Sequence, residues 1–147
     1  MSTVGRRITA AGAISAALAV AFGAFGAHAL EGRVPADMLV TYETGARYHF
    51  YHSLGLVCVG LLALLRGAHA GPAATGPANV AGNTPPDPAN LRLRWSAALM
   101  ITGIVLFSGS LYTLALTGMR WLGAVTPLGG VSFLAAWALL AWAALDS

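Results

Sequence analysis

Four long apolar stretches, separated by short polar ones, organise the chain of 147 residues. The ranges 8–29, 48–65, 95–119 and 121–145 contain no Asp, Glu, Lys or Arg. About 20 residues of helix cross a hydrocarbon core of ~30 Å. In lipid, every backbone polar group must be paired within its own segment, so such spans are helices. The pattern therefore predicts a single all-α domain over residues 1–147, an integral membrane bundle of four helices.

Composition strengthens this prediction. Hydrophobic residues make up 57% of the chain and charged residues only 9%, whereas soluble domains carry about 25% charged residues. We therefore expect a multi-pass protein of the cell inner (plasma) membrane, with the lipid bilayer as its partner. The net charge of +3 is spread over isolated arginines. Without a basic run, nucleic acid is not expected as a partner.

The arginines also predict an orientation. Four spans place both termini on one side of the membrane. Five arginines would lie on that side: Arg6, Arg7, Arg66, Arg92 and Arg94. Three would lie on the other: Arg33, Arg47 and Arg120. Because cytoplasmic loops carry an excess of Lys and Arg, both termini are predicted to be cytoplasmic.

The first span has an alternative interpretation as a signal peptide. Ala27-His28-Ala29 in the stretch "GAFGAHAL" has the pattern of a cleavage site. The preceding apolar run is longer than the 7–15 residues typical of a signal peptide. It also contains small residues suited to close helix packing, including Gly12, Gly23 and Gly26. An uncleaved first helix is therefore favoured.

Two polar stretches interrupt the spans. Residues 67–90 hold five of the seven prolines and predict a flexible cytoplasmic linker. Residues 36–47 predict an amphipathic extension of the second helix, with Pro35 before it. Thr126-Pro127 indicates an N-cap followed by proline in the first turn, or else a longer helix kinked at Pro127.

Polar side chains within the spans concentrate in the half opposite the termini. Intramembrane polar residues are costly and usually face the bundle interior. We therefore predict a polar cluster there, formed by His28, Tyr48, His52, Ser108, Ser110, Tyr112 and Thr126. His49 points elsewhere on the second helix and is interpreted as an interfacial residue.

His28 and His52 are expected at similar depth on different helices, which leaves three interpretations open. Each imidazole could hydrogen-bond a neighbouring helix and stabilise the packing. The pair could form a small-ligand or proton site, or it could ligate haem iron or another metal. A third and fourth zinc ligand are not evident. No cofactor is predicted, and haem is the one considered.

Four stretches together resemble one family: "GAFGAHAL", "TGARYHFYHSLGL", "LFSGSLYTLALTG" and "TPLGGVSFLAAWALL". The chain is similar to the domain of unknown function 423 family, small four-helix bacterial inner-membrane proteins with an animal transmembrane branch. The resemblance implies a four-span protein without an established activity. It implies motif positions at Gly26, His28, Tyr48, His52, Ser108, Gly109, Ser110, Tyr112, Thr126, Pro127, Gly129 and Gly130. With Gly23, the motif glycines are interpreted as helix-packing positions. The sequence departs from the family at His49, where glutamine is usual.

Three hypotheses for function follow. The favoured one is a non-enzymatic membrane protein that binds a small ligand or a partner helix through the polar cluster. The second is a haem-binding, metal-binding or proton-relaying redox or transport component that uses His28 and His52. The third is an accessory subunit of a larger membrane complex, or a homo-oligomer. An enzyme is less favoured because the sequence shows no Ser-His-acid set, no paired intramembrane carboxylates and no phosphate loop.

Overall fold

The computed structural model describes residues 3–69 and 87–146, and these residues form helices and turns without a strand. Four helical segments are long and apolar enough to cross a membrane: Thr3–Leu30, Ala36–Ala68, Pro88–Thr117 and Arg120–Leu145. The predicted four-helix membrane fold is therefore confirmed. Most of the linker predicted at residues 67–90 lies outside the described residues.

Three of the four segments contain a change of helix type or a turn. The first is α1 (Thr3–Phe25) followed by a π-helical turn, Gly26–Leu30. The second is one continuous helix, α2 (Ala36–His69). The third consists of α3 (Pro88–Gly103), a π-helical turn (Ile104–Ser108) and α4 (Gly109–Thr117). The fourth is a 3-10 turn (Arg120–Ala124) followed by α5 (Thr126–Leu145).

Helix α2 lies at the centre of the bundle. Helices α1, α3 and α4 pack against it, and α5 packs mainly against α3. Gly5 lies beside Leu64, and Arg66 donates a hydrogen bond to the carbonyl of Ala143. Both ends of the described chain therefore lie at the same end of the bundle, called here the termini end. The turns at residues 31–35 and 118–125 form the opposite, turn end.

Glycines allow the backbones of α1 and α2 to approach closely. A Cβ atom on Gly12 would lie 2.7 Å from the backbone nitrogen of Val57, and one on Gly60 would lie 2.9 Å from Cα of Thr9. Small residues at such contacts are the usual basis of helix packing in membranes. At Gly23, by contrast, a Cβ would have no neighbour within 4 Å. The close contact therefore lies in the part of α1 nearer the termini end.

The other packing glycines taken from the family resemblance divide in the same way. A Cβ on Gly26 would lie 2.8 Å from the Tyr42 ring, and one on Gly129 would lie 2.8 Å from Cα of Phe107. At Gly109 and Gly130 a Cβ would meet nothing within 4 Å. Gly26 and Gly129 are thus packed against neighbouring helices, whereas Gly109 and Gly130 face open space.

The apolar core joins α2, α3 and α5 and contains Leu56, Val59, Leu93, Met100 and Ala136, each no more than 1% exposed. A smaller cluster of Leu30, Tyr42 and Ala115 closes the turn end. Polar contacts fasten the termini end. Arg92 forms an ion pair with Asp146 and lies 4.1 Å from the centre of the Trp142 ring.

The prediction of Thr126 as an N-cap is wrong. Val125 caps α5, and Thr126 lies in the first helical turn with Pro127 beside it. Its hydroxyl oxygen lies 3.3 Å from the carbonyl oxygen of Leu122. The separate 3-10 turn that precedes α5 also replaces the alternative of one longer helix kinked at Pro127.

Candidate functional site

The structure divides the predicted polar cluster among separate places. Ser110 and Thr126 form one pair, with their hydroxyl oxygens 2.9 Å apart. Ser110 also donates to the carbonyl of Phe107 at 2.9 Å. These bonds join α4 to the beginning of α5. Ser108 is fully buried, and its hydroxyl has no hydrogen-bond partner among the described residues.

His52 is packed among aromatic rings. Its Nδ1–H donates to the carbonyl of Tyr48 at 2.7 Å. Its ring stacks on that of Phe133, with the centroids 3.3 Å apart and the planes 12° from parallel. Tyr48 stacks on it at 5.9 Å, and Trp137 meets it edge-on at 6.2 Å. Tyr48 itself is 40% exposed. His52 therefore contributes to packing between α2 and α5.

The structure does not bring His28 and His52 together. His28 lies exposed in the π-helical turn after α1, and its side chain forms no hydrogen bond or ring contact with the described residues. Residues 3–69 and 87–146 also contain no group of three or more His, Cys, Asp or Glu side chains placed to hold a metal ion. The two histidine side chains therefore have no contact partner in common among the described residues.

The interpretation of His49 as an interfacial residue is wrong. Its side chain is only 6% exposed and lies between α1 and α4. Nε2 is 3.1 Å from the hydroxyl of Ser15, and Nδ1 is 3.3 Å from that of Tyr112. The Ser15 hydroxyl is also 2.7 Å from that of Ser53. His49 is thus the centre of a hydrogen-bonded chain, called here the His49 chain, that joins three helices.

Counting protons fixes the direction of the His49 chain. Ser53 donates its single proton to the carbonyl of His49 at 2.7 Å, so Ser15 must donate to Ser53. His49 Nε2–H then donates to Ser15, and the unprotonated Nδ1 accepts from Tyr112. This direction is the one that a neutral imidazole with its proton on Nε2 allows. Every donor in the chain is used, whereas the Ser15 oxygen keeps one free lone pair.

Aromatic rings close the site toward the turn end. The Tyr112 ring lies 4.7 Å from that of Tyr42 and 5.2 Å from that of Phe22. The Tyr42 hydroxyl donates to the carbonyl of Phe22 at 3.1 Å, and Tyr42 is 2% exposed. The His49 chain is therefore covered on that side.

An apolar cavity of about 450 Å³, called here the lateral groove, lies beside the His49 chain. It is lined by Ala11, Ile14, Ser15 and Leu18 of α1, His49 and Leu56 of α2, Ile101 of α3, and Ile104 and Val105 of the following π-helical turn. Ile14 and Val105 at its sides are 63% and 64% exposed. The groove thus opens sideways, where lipid surrounds the bundle, and Ser15 and His49 are its polar lining residues.

The sequence contains a partial signal for this site. His49, Ser53 and Gly60 recur at spacings of four and seven residues, which places them on one face of α2. Ser15 and Gly12 are similarly three residues apart on α1. These two stripes of small and polar residues meet in the structure.

The fold and the site define a class: a multi-pass plasma-membrane protein of four helices, with a buried polar chain beside a groove open to the bilayer. Residues 22–130 match the model of a family described as "Protein of unknown function (DUF423)". The chain belongs to this family, as its sequence motifs predicted.

Bacterial relatives support the assignment. The chain is 47% identical over 135 residues to the UPF0382 membrane protein YwdK of Bacillus subtilis, covering 91% of this chain and 92% of the relative. It is 40% identical over 134 residues to the UPF0382 membrane protein SERP0230 of Staphylococcus epidermidis, covering 91% of each chain. No solved structure matches.

Proposed function

We propose that the protein binds a small amphipathic molecule, with its apolar chain in the lateral groove and its polar group at Ser15. One observation carries this proposal. The groove is apolar along its walls, yet its floor meets the hydrogen-bonded Ser15 and His49. Sites for small molecules typically combine an apolar lining with a few placed polar groups. The proposal keeps the small-ligand hypothesis but moves the site from the predicted cluster to the His49 chain.

The direction of the His49 chain suggests which polar group would bind. All donors of the chain are already used within it, whereas the Ser15 oxygen has a free lone pair. A ligand group that donates a hydrogen bond, such as an alcohol, fits without breaking the chain. A carboxylate would need a donor that Ser15 can supply only by giving up its bond to Ser53. An alkyl alcohol is therefore the proposed ligand class.

We further propose that both termini lie in the cytoplasm, because the termini end carries five of the eight arginines. His49 lies two residues from Arg47 and 17 from Arg66, about 3 Å and 26 Å along the helix. The polar group would then bind in the outer half of the membrane. In a Cys58→Ser background, Glu31→Cys should react with an impermeant maleimide on intact cells, whereas Asp87→Cys should react only after permeabilisation. The reverse pattern would contradict this orientation.

A proton relay is less well supported by the same bonds. The chain runs from Tyr112 through His49 and Ser15 to Ser53, and it ends on the carbonyl of His49 itself. It returns to the helix from which it came, so it offers no path along the bundle. A haem site shared by His28 and His52 would need both imidazoles to face one cavity, whereas His28 is exposed in the turn after α1 and the His52 ring is stacked on Phe133.

Photo-crosslinking with a long-chain alcohol that carries a diazirine on its tail tests the proposal. The purified protein should be labelled on groove residues such as Ile14 and Val105, and unlabelled alcohol should compete better than the carboxylic acid of equal length. Val105→Trp fills the groove and should abolish this labelling. Leu134→Trp is the matched control, because Leu134 is 74% exposed on α5 and does not line the groove.

Uniform labelling of lipid-facing residues, Leu134 included, would show bulk lipid contact only and would contradict a site. If the groove residues are not labelled in the purified protein but crosslink to a second polypeptide in native membranes, the groove binds a partner helix instead. Equal competition by the acid and the alcohol would retain the groove but overturn the assignment of the polar group.

A further inference from the structure

We infer a second site, a phosphate-binding crevice at the turn end of the bundle. A cavity of about 480 Å³ lies there between the turn after α1 and the end of α4. Arg33 from the first turn and Arg120 from the second both line it. The two arginines are 87 residues apart in the sequence, so only the fold brings them to one crevice.

The guanidinium groups of both arginines are available to a ligand. Neither Arg33 nor Arg120 forms a hydrogen bond or an ion pair through its side chain with any residue in the ranges 3–69 and 87–146. Among the described residues, Asp37 is the one carboxylate that lines the crevice, and it lies in the first turn of α2, where the helix dipole stabilises a negative charge. The crevice therefore has an excess of positive charge. Arg is the side chain best suited to a phosphate because its planar fork donates two parallel hydrogen bonds.

The two arginines are placed by defined turns. Gly32 and Gly118 each adopt φ 70°, a left-handed conformation that favours glycine. The backbone nitrogen of Arg33 donates to the carbonyl of Leu30 at 2.9 Å, and that of Gly118 donates to the carbonyl of Leu114 at 2.8 Å. These turns fix where each arginine leaves the backbone. The crevice is thus set by the local fold of both turns.

The depth of the crevice favours the phosphate of a membrane lipid. Arg120 follows the last residues of the third span and precedes Trp121, which is 64% exposed. Tryptophan is enriched at the level of the lipid headgroups. Val34, Met38 and Leu116 add apolar lining beside the arginines, as glycerol and acyl carbons require. A soluble phosphate monoester shares the same anion and is separated from the lipid by the experiment below.

The test is native mass spectrometry of the full-length protein, titrated in detergent with dioleoyl phosphatidylglycerol. Dioleoylglycerol, which has the same chains and no phosphate, is the control lipid. The phosphatidylglycerol adduct should form with at least about tenfold higher affinity than the dioleoylglycerol adduct, since charge-assisted hydrogen bonds to phosphate are the strong class. The double variant Arg33→Gln/Arg120→Gln should lose this difference. Arg47→Gln is the matched control, because Arg47 is exposed near the turn end but does not line the crevice.

Competition by glycerol phosphate separates the two sources of the anion. Phosphatidylglycerol binding should persist at millimolar glycerol phosphate and should be lost only in the Arg33→Gln/Arg120→Gln variant. This result would support a lipid headgroup as the source of the phosphate. Direct binding of glycerol phosphate that the same variant loses would support a soluble anion at the same site. Equal affinity for the two lipids, or equal loss in Arg47→Gln, would overturn the crevice. Val105→Trp should leave this binding unchanged, because none of the described residues lines both the crevice and the lateral groove.

Discussion

His49 and His52 are three residues apart on α2 and equally buried, at 6% exposure, yet their surroundings are opposite. His49 meets α1 and α4 and uses both ring nitrogens in hydrogen bonds to hydroxyl groups. His52 meets α5 and lies between aromatic rings, with one hydrogen bond to its own helix. Because three residues fall about 60° short of a full helical turn, the two side chains point only about 60° apart around α2. That rotation is enough to move a side chain from one neighbouring helix to another.

The difference separates two kinds of helix contact in one bundle. The contact of α2 with α1 combines Gly60 and the facing Gly12 with hydroxyl groups and lies beside an open groove. The face toward α5 is filled by Phe133 and Trp137 and contributes to the core. Since lipid removes the hydrophobic drive between helices, close packing and hydrogen bonds hold such bundles together. The α1 face of α2 is therefore held by close backbone packing and hydroxyl hydrogen bonds, and the α5 face by aromatic rings.

The largest loss in the free energy of unfolding is expected from a substitution that separates α1 from α2. In Gly60→Leu the new side chain would collide with the backbone of Thr9, so we expect a loss of about 3 kcal/mol in the free energy of unfolding. The loss should abolish labelling in the lateral groove. Gly23→Leu is the control, because a side chain there meets open space. Unfolding in detergent measures both, and equal stability of the two variants would contradict the described α1–α2 contact.

A smaller loss of stability is expected at α5, where two adjacent glycines allow a controlled comparison. Gly129→Leu would displace Phe107, whose ring lies 4.7 Å from that of Tyr48 and 5.7 Å from that of Phe133. We expect a loss of about 2 kcal/mol. Gly130→Leu should have little effect, because it meets no atom within 4 Å. Groove labelling should survive in Gly130→Leu and fall in Gly129→Leu, because Phe107 lies in the same π-helical turn as the groove residues Ile104 and Val105. If Gly130→Leu were the more damaging, the described rotation of α5 would be wrong.

The need to pair every backbone polar group in lipid explains which parts of this structure the sequence predicts. Uncharged runs of sufficient length must be helices in a membrane, so the four spans could be predicted. The contacts of each side chain could not be predicted, because they depend on how each helix is rotated against its neighbours. Gly129 and Gly130 are identical in sequence terms and differ only in this rotation. The π-helical turn at Ile104–Ser108 adds to the difficulty, since it changes which faces of α3 and α4 align.

His49 and His52 differ in the same way, and substitutions can separate their roles. His49→Phe would remove the bonds to Ser15 and Tyr112. Interhelical hydrogen bonds in membranes average ~0.6 kcal/mol with a maximum near 1.7, so we expect a loss of about 1–2 kcal/mol and of alcohol labelling. His49→Gln should retain both, because an amide donates and accepts as the imidazole does. If His49→Phe labels as well as His49→Gln, the His49 chain has no part in binding.

At His52 the same two substitutions should have the reverse order of stability, with the phenylalanine variant more stable than the glutamine variant. His52→Phe keeps a flat ring between Phe133 and Trp137 and loses only the bond to Tyr48. The Tyr48 carbonyl still accepts the backbone N–H of the following helical turn, so the variant should remain close to the parent in stability. His52→Gln loses the stacked ring, which is worth ~0.5–1.5 kcal/mol. Groove labelling should not change in either, and unfolding in detergent reports the difference. Glutamine tolerated equally at both positions would mean that the two faces of α2 are not chemically distinct. The reversed order would establish that one turn of helix separates a polar site from a packing contact.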